Sequence, residues 1–324
     1  MRAPTPYDVD RDTASTERVG GAYGSGRGGD PVSERRSPTI RRRRLGAELR
    51  RLREGAGITI EAVADRLECS ASKVSRIETG HTSVTPRDVR DMLAIYGVSE
   101  AESEELVQIA REARQRGWWH PYSSVLSGAY VGLEDAAGSM RAYEQQVVPG
   151  LLQTADYAKA MIELARPDMP AEEVDQRVRV RSNRQSLLTQ DVPIDLWVVL
   201  DEAVVSRPVG SDEVMRAQMA RLVELAELPN VTIQVLPFHV GAHAAMDGSF
   251  TILDFPEPGD PDVVYAENAT GGLFLEKSDE LQRYNYIFDQ IRTQAMRPEA
   301  SIAHIAELAE EPLWKWRPRG SSRT

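Results

Sequence analysis

Hydroxyl and cationic side chains are concentrated in the run SASKVSRIETG, residues 70–80. Val74 and Ile77 recur in it at helical spacing, so a helix here would bury these two residues and expose its polar ones. Short hydroxyl groups and long cations on one helix face can reach phosphates and base edges in the major groove of DNA. The sequence therefore predicts a nucleic-acid contact. Its candidate contact residues are Ser70, Ala71, Ser72, Lys73, Ser75 and Arg76.

A second helix is predicted directly before this run and would position it. An apolar stripe at helical spacing identifies it: Ile60, Val63, Ala64 and Leu67. Thr59 can cap this helix as Ser70 caps the next, and Thr59 is a further candidate DNA contact. A tight turn at residues 68–69 would join the two helices. The pattern is typical of a helix-turn-helix, although a helical hairpin that binds no nucleic acid would share its apolar positions.

The run from Ser70 to Gly80 resembles the helix-turn-helix of the Xre (phage repressor-like) family. The pattern S-x-S-K-V-S-R-I-E-x-G is the most specific part of the resemblance. The family often has Gln where this chain has Ile60, and Gly in the turn where it has Glu68. Because Gly accepts a positive φ readily, Glu68 is expected to adopt a positive φ at some cost. The resemblance implies an all-α, phage repressor-like domain of five helices that acts as a homodimer.

Charge is divided unevenly along the chain. Residues 35–54 contain nine Arg and two Glu and so carry +7, whereas the whole chain carries −11. The cations lie beside the predicted helix-turn-helix, which is the distribution that phosphate binding at one end requires. Four adjacent residues are interpreted as an arm over the phosphate backbone or into a minor groove: Arg41, Arg42, Arg43 and Arg44. A solubilising charge run is the alternative.

Three further helices complete the predicted head domain, residues 39–116. The first spans about Arg42–Glu54. The fourth spans Thr85–Gly97 and has a capping residue followed by a proline at the first helical position. The fifth opens with a capping box and spans about Ser99–Arg116. Two arginines early in the fourth helix face either flanking phosphates or solvent: Arg87 and Arg90.

Three segments are predicted to lie outside the folded domains. Residues 1–38 are rich in Gly, Arg, Ser and Pro and poor in apolar side chains, so we expect them to be disordered. Residues 117–131 form an aromatic linker that contains Trp118–Trp119 and breaks the helical pattern. Residues 312–324 are expected to form a loose tail.

Residues 132–311 predict a mixed α/β domain. Strands are predicted at residues 139–148, 194–200, 231–236, 250–255, 263–267 and 273–275. Helices are predicted at residues 154–165, 170–188, 211–228, 278–296 and 298–310. The strand–helix–strand order around helix 211–228 predicts a parallel pair of strands. The fold class is therefore an all-α helix-turn-helix domain followed by an α/β domain.

This C-terminal domain resembles that of actinobacterial Xre-type regulators of the WhiJ-like, antitoxin-like group. The resemblance is carried by residues 143–157 (YEQQVVPGLLQTADY), 196–210, 214–235, 241–255, 264–265 and 273–276. It implies a cytoplasmic regulator that is often encoded beside a small partner protein, which it is expected to neutralise. It supplies no ligand and no catalytic residue.

An enzyme or a metal-binding module is the alternative for the C-terminal domain. His239 and His243 have the spacing of metal ligands. Asp247 follows closely and Glu267 lies further along the chain. The segment HVGAHAAMDG, however, is a Gly- and Ala-rich loop and not a helix that would place both imidazoles on one side. The sequence has no Gly-rich phosphate loop, C-x-x-C pair or nucleophile elbow.

Two further groups of charged residues have a plain structural interpretation. One group follows a strand end, where it is interpreted as an ion-paired loop: Asp201, Glu202 and Arg207. The other group forms a stripe on helix 170–188: Arg177, Arg181 and Arg184. Because Glu173 lies four residues before Arg177 and can pair with it, the stripe is interpreted as a solvated face.

The remaining expectations concern partners and location. No apolar run reaches the length of about 18 residues that a membrane span needs, and the N-terminus has no apolar signal segment. The single cysteine, Cys69, excludes an internal disulfide and is expected to be a packed thiol. We expect a cytoplasmic DNA-binding regulator without catalytic residue, cofactor or metal. Its expected partners are double-stranded DNA, a second copy, and a small protein or small-molecule effector.

Overall fold

The computed structural model describes residues 38–114, 128–257, 260–268 and 271–310. Most of three predicted segments falls outside these residues: the disordered segment before residue 38, the linker up to residue 127 with Trp118–Trp119, and the loose tail from residue 312. Residues 128–131, predicted as part of the linker, lie instead in a helix, Gly128–Ala136. The described residues of the head and of the α/β domain belong to one compact unit.

Five helices form the head. They are α1 (Pro38–Gly55), α2 (Ile60–Arg66), α3 (Ala71–Glu78), α4 (Pro86–Tyr96) and α5 (Glu100–Glu112). Four side chains each accept a hydrogen bond from a first-turn backbone N–H and so cap α2 to α5: Thr59, Ser70, Thr85 and Ser99. Gly97 ends α4 in the left-handed conformation, with φ of 77°. The predicted caps, including the capping box of Ser99 and Glu102, are confirmed.

Two helix limits in the head differ from the prediction. α1 begins at Pro38 and not near Arg42, so Arg41–Arg44 lie in its first two turns and do not form an extended arm. Proline is favourable in a first turn, because the N–H that it lacks has no intrahelical partner there. α5 ends at Glu112 and not near Arg116.

One apolar core holds the five helices of the head together. It is built from Leu45, Leu49, Val63, Ala64, Val74, Ile77, Val84, Val89, Met92, Leu93, Tyr96, Val107 and Ala110. Every helix contributes to it, and the stripes predicted for α2, α3 and α4 face inward. The burial of these side chains fixes the face that α3 presents to solvent.

Six strands form one mixed sheet in the order β3-β2-β1-β4-β5-β6. They are β1 (Ser139–Glu144), β2 (Asp195–Asp201), β3 (Val231–Leu236), β4 (Phe250–Asp254), β5 (Val263–Asn268) and β6 (Gly271–Leu275). β1, β2 and β3 are parallel, and β4, β5 and β6 extend the sheet in antiparallel pairs. The predicted parallel pair, β2 and β3, is confirmed. β1 ends at Glu144 and not at residue 148, because the next backbone N–H, that of Gln145, donates to the Ser249 hydroxyl at 3.1 Å.

Seven described helices accompany the sheet. They are α6 (Gly128–Ala136), α7 (Ala155–Ala165), α8 (Ala171–Arg184), α9 (Glu202–Ser206), α10 (Asp212–Leu225), α11 (Ser278–Gln294) and α12 (Pro298–Glu310). The sequence did not predict α6 and α9. α8 ends at Arg184, and a 3-10 turn continues it to Leu188.

Both faces of the sheet are covered, as the near-continuous apolar strands require. Met140 and Ala142 of β1 face the larger core, to which α6, α10 and α12 contribute. Tyr143 faces the opposite core, which α11 closes with Ile287, Phe288 and Ile291. Ile40 of α1 belongs to the larger core, so the first helix of the head also packs on the α/β domain, against α6.

Candidate nucleic-acid interface

The polar face of α3 is exposed as the sequence predicts. Val74 and Ile77 have 0 % and 2 % of their surface accessible and anchor the helix to the head core. Ser72, Lys73 and Arg76 are exposed, whereas Ala71 and Ser75 are partly buried. One helix thus combines a fully packed inner face with an outer face of hydroxyls and cations, as a groove-reading helix does.

Thr59 and Ser70 serve first as helix caps. Thr59 Oγ1 accepts a hydrogen bond from the Ala62 N–H at 3.2 Å, and Ser70 Oγ accepts one from the Lys73 N–H at 3.1 Å. A hydroxyl oxygen that accepts in this way still has its own proton to donate. Both residues are exposed, so each hydroxyl can donate to a phosphate while it caps its helix.

The two cations of α3 differ in their surroundings. Lys73 Nζ lies 3.4 Å from Asp88 Oδ2 of α4, and both side chains are partly exposed. This ion pair is weak in water and would be exchanged for a phosphate contact at little cost. Arg76 is exposed and forms no ion pair with the residues that the structure describes. Arg76 is therefore the cation of α3 more readily available to a base edge or phosphate.

Glu68 adopts a positive φ of 49°, so this prediction is confirmed. The conformation is unfavourable for a side chain with a Cβ, by about 1–2 kcal/mol. The turn keeps it because the N–H of Cys69 donates to Ala64 O at 2.9 Å and closes α2. Cys69 itself is partly buried and packs against the head core, as expected.

A buried ion pair joins α1 to the C-terminal end of α3. Arg53 Nε and Nη2 donate to the two carboxylate oxygens of Glu78 at 2.7 and 2.9 Å, and Arg53 Nη1 donates to Ile58 O at 2.9 Å. The two side chains are 8 % and 2 % exposed. The sequence analysis missed this pair. The signal in the sequence was Glu78 itself. It is an acidic residue beside the buried Ile77, at the end of a helix whose other polar side chains are hydroxyls and cations.

Close packing of α1 on α3 also depends on two glycines. A Cβ on Gly46 would lie 2.5 Å from Ile77 O and 2.7 Å from Glu78 O, so the backbones approach too closely for any side chain. Gly80 has φ of 70°, and its Cβ would lie 2.9 Å from Arg43 Cα. The end of α3 therefore rests directly on α1.

The arginines at the start of α1 lie in different environments. Arg41 forms an ion pair with Glu112. Arg43 is 9 % exposed, and its Nη2 lies 2.7 Å from Glu276 of the α/β domain. Arg42 Nε donates to Pro38 O at 3.4 Å, and desolvation lowers its pKa. Arg44 is exposed. The prediction of an arm is wrong because local helix formation and these contacts fix the four residues, and Arg44 is the member presented to solvent.

The charged groups proposed for the C-terminal domain are arranged differently from the sequence prediction. Asp201 is not part of an ion-paired loop: its Oδ1 caps α9 by accepting from the Ala203 N–H at 2.9 Å. Glu202 accepts from the Phe238 N–H at 2.6 Å. His243 Nε2 lies 3.4 Å from the Tyr143 hydroxyl. Across the four described ranges, no group of three or more His, Cys, Asp or Glu residues is placed to hold a metal ion.

The arginine stripe on α8 is not a solvated face. Arg177 pairs with Glu173 at 2.9 Å, as predicted. Arg184 is 8 % exposed and forms two hydrogen bonds of 2.6 Å to the carboxylate of Glu134 on α6. Arg181 Nη1 donates to Gln153 Oε1 at 2.9 Å, and desolvation lowers its pKa to about 10. The prediction failed because α6, which brings Glu134 to this face, was not recognised in the sequence.

The head has the architecture of a DNA-binding helix-turn-helix domain, in which a capped helix with a cationic outer face packs on a closed core of five helices. In agreement, a family model described as a helix-turn-helix domain matches residues 44–106. Such a domain is that of a DNA-binding regulator. A second family model, described as a domain of unknown function (DUF5753), matches residues 127–307, more than half of the chain. The chain belongs to this DUF5753 family.

Two other comparisons add nothing to the assignment. No curated protein and no solved structure matches the chain significantly. Among the described helices, none is both long enough and apolar enough to cross a membrane.

Proposed function

We propose that the chain is a sequence-specific transcriptional regulator of the Xre type, in which α3 enters the major groove. The observation that carries the proposal is the outer face of α3, where Ser72, Lys73 and Arg76 are exposed above a fully buried anchor. Thr59 and Ser70 lie at the N-termini of α2 and α3, where a hydroxyl and the free backbone N–H groups favour a phosphate. Arg44 adds a cation at the start of the domain.

Substitutions in α3 test this proposal. A binding sequence is first selected from random duplex DNA with the full chain, and affinities are then measured by fluorescence anisotropy. Arg76→Ala should weaken binding to the selected sequence by about 1–3 kcal/mol if the lost contact is to a base edge. Lys73→Ala should have the smaller effect, because Lys73 already has Asp88 as a partner. Arg216→Ala, an exposed arginine of α10, is the matched control.

The salt dependence of binding separates the two kinds of contact. Arg44→Ala should weaken binding to all sequences similarly and reduce the slope of log affinity against log salt by about one. Wild-type affinity and wild-type sequence preference in the double variant Lys73→Ala/Arg76→Ala would show that α3 is not the reading helix.

We infer further that the α/β domain is a non-catalytic, antitoxin-like regulatory module that binds a small protein or a small-molecule effector, in a protein that acts as a homodimer. Two features support this. The five-helix head has its own core and the DNA-facing residues, so DNA contact does not need the second domain. The chain outside residues 35–54 is acidic, which disfavours further phosphate contacts. Native purification followed by mass spectrometry tests for a bound partner, and light scattering tests for the dimer.

A further inference from the structure

A cavity of about 610 Å³ lies between the sheet and helices α6, α7 and α8 of the α/β domain. Its volume is in the range of sites that enclose a small organic ligand. One wall carries the carboxylates of Glu144 and Glu267, at the ends of β1 and β5. Helix α8 contributes three arginines to the lining: Arg177, Arg181 and Arg184. We refer to it as the α8 cavity.

Strand register places the two carboxylates on one face of the sheet. Side chains alternate along a strand, so Glu144 shares the face of Ala142. Ala142 pairs with Thr251 of β4, and Thr251 pairs with Tyr265 of β5. Glu267, two residues after Tyr265, therefore faces the same side. Burial is the main cause that raises the pKa of Glu144 to about 7, and the negative charge of Glu267 raises it further, which places the two carboxylates within electrostatic reach of each other.

The guanidinium groups of α8 differ in how they are neutralised. Arg184 has both oxygens of Glu134 and stacks over the Tyr130 ring at 5.5 Å. Arg177 has Glu173. Arg181 has a neutral partner, the Gln153 amide oxygen, and forms no ion pair with the described residues. The cavity thus holds a partly buried cation, Arg181, that is hydrogen-bonded to a neutral amide. The exposed Glu267 acts electrostatically on Arg181 and Arg184, and the partly buried Glu144 forms no ion pair with the described residues.

Such an arrangement costs solvation free energy unless a counter-charge compensates it. A charge removed from water without a counter-charge loses solvation that a single amide oxygen does not replace. Arg184 shows that this domain neutralises a buried arginine fully when the role is structural. Arg181 and Glu144 line the same cavity, where a ligand with both signs of charge would compensate both groups at once.

The remaining lining is apolar and adaptable. Three methionines contribute to it: Met140, Met161 and Met169. Flexible thioether side chains fit apolar groups of varied shape. The rings of Tyr130 and Tyr265 stack at 4.3 Å beside the carboxylates, where an aromatic face favours a cation. Gly272 leaves the space that the Tyr265 ring occupies, because a Cβ on Gly272 would overlap the ring.

We propose that the α8 cavity binds a small zwitterion of the amino-acid or short-peptide class, with its carboxylate on Arg181, its ammonium group on Glu144 and Glu267, and an apolar side chain among the methionines. Binding itself is independent of the proposed function, whereas a role of the ligand as effector rests on it. The route from the cavity to the head is short. Tyr130 and Glu134, which line the cavity, belong to α6, and α6 packs on α1.

Calorimetry with the full chain tests the proposal with L-leucine, the dipeptide Leu-Leu and the tripeptide Leu-Gly-Leu. N-acetylated and C-amidated Leu-Leu are the matched probes, since each lacks one of the two charges. We expect at least one free zwitterion to bind and each blocked form to bind at least ~10-fold more weakly. Arg181→Gln and Glu144→Gln should each weaken the same probe by a similar factor. Arg179→Gln, an exposed arginine on the same helix, should leave binding unchanged.

Several outcomes would overturn the proposal. These are the absence of binding by all three free zwitterions, equal binding of the blocked forms, or full binding by Arg181→Gln. Circular dichroism checks that the variants fold, and Arg181→Lys, which keeps the charge, should retain part of the affinity even if Arg181→Gln is unstable. DNA binding is measured on the same preparations. Zwitterion binding without DNA binding would contradict the proposed function only, and DNA binding without zwitterion binding would contradict this inference only.

Discussion

Removal of Glu78 is expected to destabilise the head more than any exposed charge change. Glu78→Ala leaves Arg53, 8 % exposed, with the Ile58 carbonyl and the exposed Glu54 carboxylate, 3.5 Å away, in place of a buried bidentate carboxylate. Loss of one partner of a buried ion pair costs about 3–5 kcal/mol. That is a large part of the about 5–15 kcal/mol that stabilises a typical folded domain. Glu48→Ala is the matched control, because the pair of Glu48 with Arg51 lies on the exposed side of the same helix and should contribute little to stability.

Native-state hydrogen exchange measures this effect where it occurs. The amides of α1 to α3 in Glu78→Ala should lose protection by a factor that corresponds to about 3 kcal/mol or more, while the sheet amides change less. The double variant Arg53→Met/Glu78→Leu should restore most of the protection, because an apolar pair of similar volume leaves no unpaired charge. Protection in Glu78→Ala within about 1 kcal/mol of wild type would show that Arg53 is solvated and that our account of the pair is wrong.

Three other substitutions test single features, each by urea denaturation followed by circular dichroism. Glu68→Gly removes the Cβ that makes the positive φ of 49° unfavourable, so it should be neutral or stabilising. Glu61→Gly in the first turn of α2 should cost about 1 kcal/mol, and equal losses in the two variants would contradict the strain at Glu68. Gly80→Ala should cost about 2–4 kcal/mol, because φ is 70° and the new Cβ would meet Arg43 Cα at 2.9 Å; an unchanged midpoint would contradict the close approach. Burial and then the charge of Glu267 raise the pKa of Glu144 to about 7 from 4.5, so the folded chain retains a proton that the unfolded chain releases. Stability of the wild type should therefore fall by about 1–3 kcal/mol between about pH 4.5 and 7, after allowance for solvent in the cavity. Glu144→Gln should flatten that fall, and an equal fall in both proteins would assign it to other groups.

Local signals in the sequence were sufficient for the helix caps and the buried faces of the head. Thr59, Ser70, Thr85 and Ser99 cap helices in the structure because a cap needs only its own side chain and the next turn of backbone. The apolar stripes of α2 and α3 likewise predicted which faces are buried. The positive φ of Glu68 was implied by the family resemblance, because the family often has Gly at this position of the turn. These features depend on a few adjacent residues, which a sequence shows directly.

The environments of the arginines depended on residues far away in the chain. Arg53 and Glu78 are 25 positions apart, and Arg184 and Glu134 are 50 positions apart. Arg43 pairs with Glu276, which follows the last strand of the sheet in the sequence. An arginine that is solvated and one that is buried against a distant carboxylate have the same local pattern. The α8 cavity was missed for this reason, since its walls come from α6, α8, β1 and β5.

Helix α1 has a consequence for how proteins of this construction can exchange parts. Leu45 and Leu49 belong to the core of the head, whereas Ile40, in the same helix, belongs to the core of the sheet domain. The residue that pairs with Glu276 is Arg43, which also lies beneath the end of α3. A head transplanted from another protein would bring a foreign first turn onto α6. The first two turns of α1 must therefore come from the same protein as the sheet domain. The boundary between the two exchangeable parts lies inside this helix.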